Sequence, residues 1–386
     1  NYFVGSMSDL RLYERALTPE EVVQVFQAPL VPQKAWGPSP RDQATDIPPD
    51  DVDLRWKPGK YAALHDVYIG ESFDEIDSAA AGSRVSQNPA DVTSLALGRL
   101  KFGTTYYWRV DEVNAPPDST IVKGNTWSFT TEPVAYPVAG QSIKATASSA
   151  EPGQGPENTV NGSGLTDDLH SETLTAMWLT ATDAAGPAWI QYEFDRVLRL
   201  DRMWVWNHNT LMEPALGLGA REVVVEYSTD GTEFTTLGTT HEFARAAGRP
   251  GYAHNTTIDL GGIAAKYVKL TIKRNWGGVL PQYGLSEVRF FSVPVFAREP
   301  VPASGAANVA VTTGTSWRAG REAAKHNVYV STDQQSVIDG TAPVVTVTET
   351  SYTPALNLAS TYYWKVVEVN EAETPSTWSG DLWSFS

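Results

Sequence analysis

Apolar and polar side chains alternate residue by residue between Thr105 and Asn114. Tyr106, Trp108 and Val110 fall on one side, and Tyr107, Arg109 and Asp111 on the other. A period of two belongs to a strand with one buried face. Similar short runs recur along the chain, separated by Pro58-Gly59 and by Asn, Pro and Gly clusters near residues 114–125. The pattern therefore predicts many short strands joined by tight turns. Near the start it predicts a strand over residues 6–13 and then a helix. Thr18 is placed as N-cap, Pro19 as the first helical residue, and Glu21, three positions after Thr18, completes a capping box. Asp230-Gly231, between two alternating runs, predicts a hairpin with a type I′ turn.

The strand pattern is written twice. Thr105-Tyr-Tyr-Trp-Arg-Val-Asp-Glu-Val-Asn114 returns as Thr361-Tyr-Tyr-Trp-Lys-Val-Val-Glu-Val-Asn370, and Trp127-Ser-Phe129 as Trp383-Ser-Phe385, each 256 residues on. Trp56-Lys-Pro-Gly59 and His65-Asp-Val-Tyr68 return as Trp317-Arg-Ala-Gly320 and His326-Asn-Val-Tyr329, each 261 residues on. Marker blocks in one order mean a duplicated domain, and solenoid periods of roughly 20–50 residues are far shorter than this one. The two copies bracket a middle segment of different character, which is where function is expected.

Composition narrows the partners. Among 386 residues, 41% are hydrophobic, with 13 Trp, 16 Tyr and 12 Phe, enough for several packed cores. Thirty Gly and 25 Pro suit an all-β chain rich in turns. The formal charge of −16 disfavours nucleic acid and anionic membranes as main partners. With no Cys there is no disulfide framework, thiolate zinc site or Cys nucleophile. No apolar run reaches the roughly 18–20 residues that span a bilayer, so membrane insertion is not expected. Nucleophile elbows, His-Glu-x-x-His helices, Walker loops and Rossmann glycine runs do not occur in the sequence. The chain is therefore expected to be non-catalytic.

Four domains are expected, as multidomain β-sandwiches. Residues 28–133 and 295–386, through Leu54-Arg-Trp56, Tyr106-Tyr-Trp-Arg-Val110 and Trp127-Ser-Phe-Thr130 and their second copies, resemble fibronectin type III domains. Their aromatics are expected to pack cores, leaving these domains as spacers. Residues 1–27 look like the last strand and terminal helix of a laminin-G-like, concanavalin-type jelly roll. Too few to fold alone, they imply with the closing Phe385-Ser386 that the natural protein continues at both ends.

The middle segment, 134–294, carries Pro156-Glu-Asn-Thr-Val-Asn-Gly-Ser-Gly-Leu-Thr166, Trp189-Ile-Gln-Tyr-Glu-Phe194, Val223-Val-Val-Glu-Tyr-Ser-Thr-Asp-Gly231 and Gly284-Leu-Ser-Glu-Val-Arg-Phe-Phe291. In this order the blocks resemble the discoidin, or coagulation-factor type C, domain, also used as a galactose-binding-like carbohydrate-binding module. The resemblance implies a jelly roll that binds a glycan with loops at one end. The residues matching its ligand loops are His208, Asn209, Arg245, Asn275, Trp276 and Tyr283. Arg245 is placed by loop order, and Trp178, Trp189, Trp204 and Trp206 are expected in the core. The family's structural calcium maps onto Asn161, Thr166, Asp168 and Glu287, with Asn161 standing where the family has Asp. Asn is an admissible oxygen ligand, and the alternative is a metal-free turn locked by Gly162 and Gly164.

Three roles follow from these features. The first is glycan binding or adhesion within a larger secreted or cell-surface bacterial multimodular protein. The second is a structural brick of a surface layer, stalk or filament, self-associating through sandwich edges. The third is an accessory arm of a carbohydrate-active enzyme whose catalytic domain lies elsewhere. Protein–protein adhesion through the discoidin-like loops is a further option.

Overall fold

The computed structural model describes residues 15–19, 21–22, 32–50, 52–117, 119–183 and 186–386. They are almost entirely strands and turns. The chain divides into two compact units, Asn1–Val134 and Ala135–Ser386. The segment expected to be laminin-G-like, residues 1–27, falls mainly outside the described residues. Its capping box is present: Glu21 N–H donates to Thr18 Oγ1 at 3.2 Å, and Thr18 N–H donates to the Glu21 carboxylate at 2.9 Å.

In the first unit, one sheet holds β1 (Trp36–Ser39), β3 (Asp53–Lys57) and β6 (Ser94–Ala96). The other has the order β2 (Ala44–Ile47), β9 (Trp127–Thr131), β7 (Thr105–Asn114), β4 (Ala62–Gly70), β5 (Arg84–Pro89), with β8 (Ile121–Val122) also on β7. Between them pack Leu54, Trp56, Val67, Tyr106, Trp108, Val110, Trp127 and Phe129, the apolar face that the alternation predicts. The opposite face of β7 is covered too. Arg109 and Asp111 are buried because Arg109 donates to the carbonyl of Asp77, in the short helix Phe73–Ser78, and pairs with Asp111 at 2.8 Å. An alternating pattern cannot reveal a helix laid over its polar side.

The second unit begins with a larger fold. Its main sheet runs β10 (Tyr136–Pro137), β20 (Gly284–Ser292), β15 (Ala188–Asn207), β19 (Thr256–Asn275), β16 (Ala220–Ser228), β17 (Thr235–Glu242). In addition, β11 (Ile143–Ala147) pairs with β15, and β14 (Trp178–Leu179) with β20. A small sheet joins β12 (Leu165–Thr166), β13 (Leu169–His170) and β18 (Tyr252–Ala253). The long strands β15 and β19 break register between Glu193 and Leu198 and again between Leu200 and Arg202. Such bulges bend a sheet. The sheet encloses Ile190, Tyr192, Phe194, Val205, Val225, Leu270 and Phe290.

Trp178 and Trp206 are fully buried as expected, whereas Trp189 and Trp204 are only half-buried, Trp204 packing against Phe291 and stacking on His254. The hairpin at Asp230-Gly231 forms, but over residues 229–234. Only Gly231 is left-handed, at φ +81°. Asp230 instead accepts the N–H groups of Thr232 and Glu233, which hold its carboxyl well below the usual carboxylate range.

The unit closes with a second sandwich. Strands β21 (Arg298–Val301), β22 (Thr315–Arg318) and β25 (Ser351–Tyr352) face β24 (Val344–Val347), β23 (Lys325–Ser331), β26 (Tyr362–Val369), β27 (Thr377–Ser379) and β28 (Trp383–Phe385). Trp317, Trp364, Trp383 and Phe385 form its core. The pairings repeat those of the first sandwich, β7 with β8 and β9 becoming β26 with β27 and β28.

Candidate functional site

At one end of the middle fold, the connections after β15, β17 and β19 meet. The first carries the short helix Glu213–Leu216 and ends at Gly217, left-handed at φ +62°. A side chain at Gly217 would strike Gly277 N at 2.3 Å, so only glycine lets the two loops touch along their backbones. Gly277 N–H donates to Gly217 O at 2.8 Å, and Trp276 N–H to Gly219 O at 3.2 Å.

Glu213, fully buried, holds this meeting point. Its carboxylate accepts the N–H of Leu218 at 2.9 Å and of Gly219 at 3.2 Å. His208 Nδ1 lies 3.4 Å from the same carboxylate, and Arg245 donates to the Glu213 carbonyl at 2.6 Å.

The six expected glycan-binding residues divide in two. Trp276, Arg245 and Tyr283 are half-exposed. Trp276 is anchored by Nε1–H donating to Phe243 O at 3.0 Å, with the Arg221 guanidinium 4.7 Å from its ring. The backbone of Tyr283 pairs with Thr180, its N–H donating to Thr180 Oγ1 at 3.0 Å.

His208, Asn209 and Asn275 are instead buried, with their side chains engaged inside the protein. Asn209 spends its amide on the carbonyls of Ser171 and Arg249 and on Gly248 N–H, tying two loops together. Asn275 bonds Leu280 O, Gln282 O and Gly278 N–H, closing its own loop. His208 lies against Gly284, where an added side chain would sit 2.5 Å from its ring. Polar loop residues are as often loop-builders as ligand-binders, and sequence does not separate the two.

Reading the sequence also passed over two features. One is Glu213, whose place as the first residue of a short helical turn capped by Gly217 is too common a signal to single out. The other is an apolar crest on the same loops. Leu211 is 71% and Val279 85% exposed, with Met212, Leu216 and Leu280 exposed beside them.

The expected metal ligands also divide. Asn161 and Glu287 line one cavity of about 570 Å³, with Glu157, Gln141 and Arg289 on its walls. Register places Glu287 opposite Trp206, and the residue is only 4% exposed. Its Oε2 has no hydrogen-bond partner. Burial raises the carboxyl to about 8, while a backbone hydrogen bond from Gly162 and the charge of Arg289 oppose that rise.

An orphaned buried carboxyl oxygen is what a cation would satisfy. Asn161 shares the cavity with Glu287, but its Oδ1 already accepts the N–H of Ser163 at 2.8 Å. Thr166 and Asp168 do not line this cavity. They sit on the exposed β12–β13 turn, where Asp168 pairs with Arg289 at 2.7 Å. The described residues hold no group of three or more His, Cys, Asp or Glu side chains able to hold a metal.

The middle fold is a β-sandwich that lies in sequence between two copies of a smaller sandwich. Residues 144–282 match the F5/8 type C domain. Among solved structures, one similar chain is a family 32 carbohydrate-binding module from a family 31 glycoside hydrolase of Clostridium perfringens. It shows 20% identity, covering 41% of this chain and 95% of that one, with a TM-score of 0.33. Another C. perfringens family 32 module, in complex with GalNAc-β-1,3-galactose, shows 17% identity, covering 41% and 100%, with a TM-score of 0.32. A third, in complex with galactose, shows 13% identity over the same shares, also at 0.32. The search of curated proteins gave no match. No helix among the described residues is long and apolar enough to cross a membrane.

Proposed function

We propose that this chain is a non-catalytic glycan-binding region of a secreted multimodular protein, with the F5/8 type C domain as its binding part. The observation that carries the reading is the loop end. A half-exposed Trp276, anchored at its ring N–H, and Arg245 stand with an apolar crest on loops locked from below by Glu213, Asn209 and Asn275. Sugar recognition needs apolar surface for C–H faces and a few fixed polar groups, and rigid loops lower the ordering cost of binding. The F5/8 type C match supports the same reading.

Asn161 and Glu287 would hold a structural calcium, neutralising the buried carboxylate and bracing the 157–163 turn. The flanking sandwiches, read as fibronectin type III-like, carry the module rather than bind. A glycan array probed with wild type and Trp276→Ala tests the proposal. Binding to a defined glycan set, lost in the variant, is expected. No binding across neutral, acidic and galactose-type glycans would refute it.

A further inference from the structure

The repeated marker residues Trp56, Gly59, His65 and Glu112, and their copies Trp317, Gly320, His326 and Glu368, come together in each sandwich. His65 stands edge-on to Trp56, with ring centroids 5.5 Å apart, and His326 likewise to Trp317 at 5.4 Å. Each His Nδ1 pairs with the buried Glu of its own copy. The other oxygen of that Glu accepts the turn glycine, Gly59 N–H at 2.7 Å or Gly320 N–H at 2.8 Å.

What the glycine turn touches is the chain coming into the sandwich. A side chain at Gly59 would lie 2.0 Å from Gln33 O, and one at Gly320 the same distance from Val295 O. The next N–H in each turn, of Lys60 or Arg321, donates to Pro32 O at 2.9 Å or Pro294 O at 2.8 Å. Two buried ionisable groups and a contact that only glycine allows thus serve one peptide of incoming chain, twice over.

In the second unit the domain ahead is also on view. Val293 N–H donates to Arg199 O of the F5/8 type C domain at 2.8 Å, while the adjacent Pro294 carbonyl is held by the sandwich. Neighbouring residues are therefore bound to different domains, which leaves no slack between them. Around this point Arg199 pairs with Glu322, Arg196 pairs with Asp381 at 2.6 Å, and Phe296 packs edge-on against Trp378 at 5.5 Å.

We infer that this Trp-His-Glu-Gly latch is an orientation device. Through it the second sandwich grips the chain entering it and fixes the angle of the F5/8 type C domain, so that residues 135–386 move as one rigid arm. The default for domains joined by a short polar contact is relative motion, and the latch is what removes it. The inference stands apart from any ligand the module binds.

The absence of native Cys allows a direct test. Spin labels at Glu233→Cys and Gln334→Cys, both exposed positions, report the distance between the two domains in the full chain. A single narrow distance distribution is expected. It should broaden roughly twofold in Glu368→Gln, as free domain motion returns, and stay unchanged in Glu112→Gln, the same substitution in the other sandwich. A broad wild-type distribution, or one unaltered by Glu368→Gln, would overturn the inference. Should Glu368→Gln unfold its sandwich, Gly320→Ala, whose added side chain would fall 2.0 Å from Val295 O, takes its place: broadening supports the device and an unchanged width overturns it.

Discussion

Replacing Glu213 by Ala tests whether the binding loops are held from beneath. The side chain is fully buried and accepts two backbone N–H groups, Leu218 at 2.9 Å and Gly219 at 3.2 Å. An unsatisfied buried donor costs about 1–3 kcal/mol, so the two together cost about 2–6 kcal/mol. Arg245 adds little, because its side chain is 35% exposed and water replaces its partner. Against a typical domain stability of about 5–15 kcal/mol, this is a large loss. Glu213→Gln keeps one acceptor oxygen and should lose about half as much. Urea unfolding gives the stability, and amide hydrogen exchange gives the location. Leu218 and Gly219 should exchange faster in the variant because Glu213 is their acceptor, and Trp276 and Gly277 because theirs are the carbonyls of Gly219 and Gly217. A loss below about 0.5 kcal/mol, within the range of ordinary surface substitutions, with exchange at these amides unchanged, would refute the reasoning.

The remaining predictions concern the ion and the buried histidine. Calcium should raise the melting temperature, with a stabilisation of about 2.7 kcal/mol at a hundredfold excess over Kd, and EDTA should reverse it. Glu287→Gln should abolish the shift, and a melt indifferent to both reagents would count against the ion. For His65, burial pulls the imidazolium down, but the hydrogen bond and charge of Glu112 outweigh it, and the net direction is upward from 6.5. The folded state therefore holds this proton more tightly than the unfolded state. Its stabilisation is complete below pH 6.5 and fades as pH rises through the raised value. The first sandwich should melt at a lower temperature at pH 9 than at pH 6, with the difference reduced in His65→Gln. A melting temperature that rises over that range would contradict the assignment.

The strands were the most legible part of the chain, because burying one face of a sheet leaves a period-two trace. Tyr106, Trp108 and Val110 carry it in the first sandwich, and Tyr362, Trp364 and Val366 in the second. The duplication was legible as repeated Trp, His and Glu positions, but their joint purpose was not. His65 and Glu112 lie far apart in sequence, and only pairing of β4 with β7 sets them opposite each other.

The candidate site was read least well. Asn209 and Asn275 are polar residues in loops, as a ligand contact would be. Yet their amides are consumed by backbone groups that only the folded loops bring near. Asp168 likewise follows the Asn161 turn closely in sequence but is carried away from Glu287 by the β12–β13 hairpin and taken up by Arg289. Spacing alone does not tell which carboxylates converge.

The account rests on the loop end of the F5/8 type C domain as a glycan site, and calorimetric titration of a glycan selected on the array tests that most directly. Saturable binding by wild type, weakened at least tenfold in Trp276→Ala with the melting temperature preserved, about 1.4 kcal/mol or more in binding free energy, is predicted. Equal affinity in the two proteins would contradict it, because the sugar would then be held somewhere other than these loops.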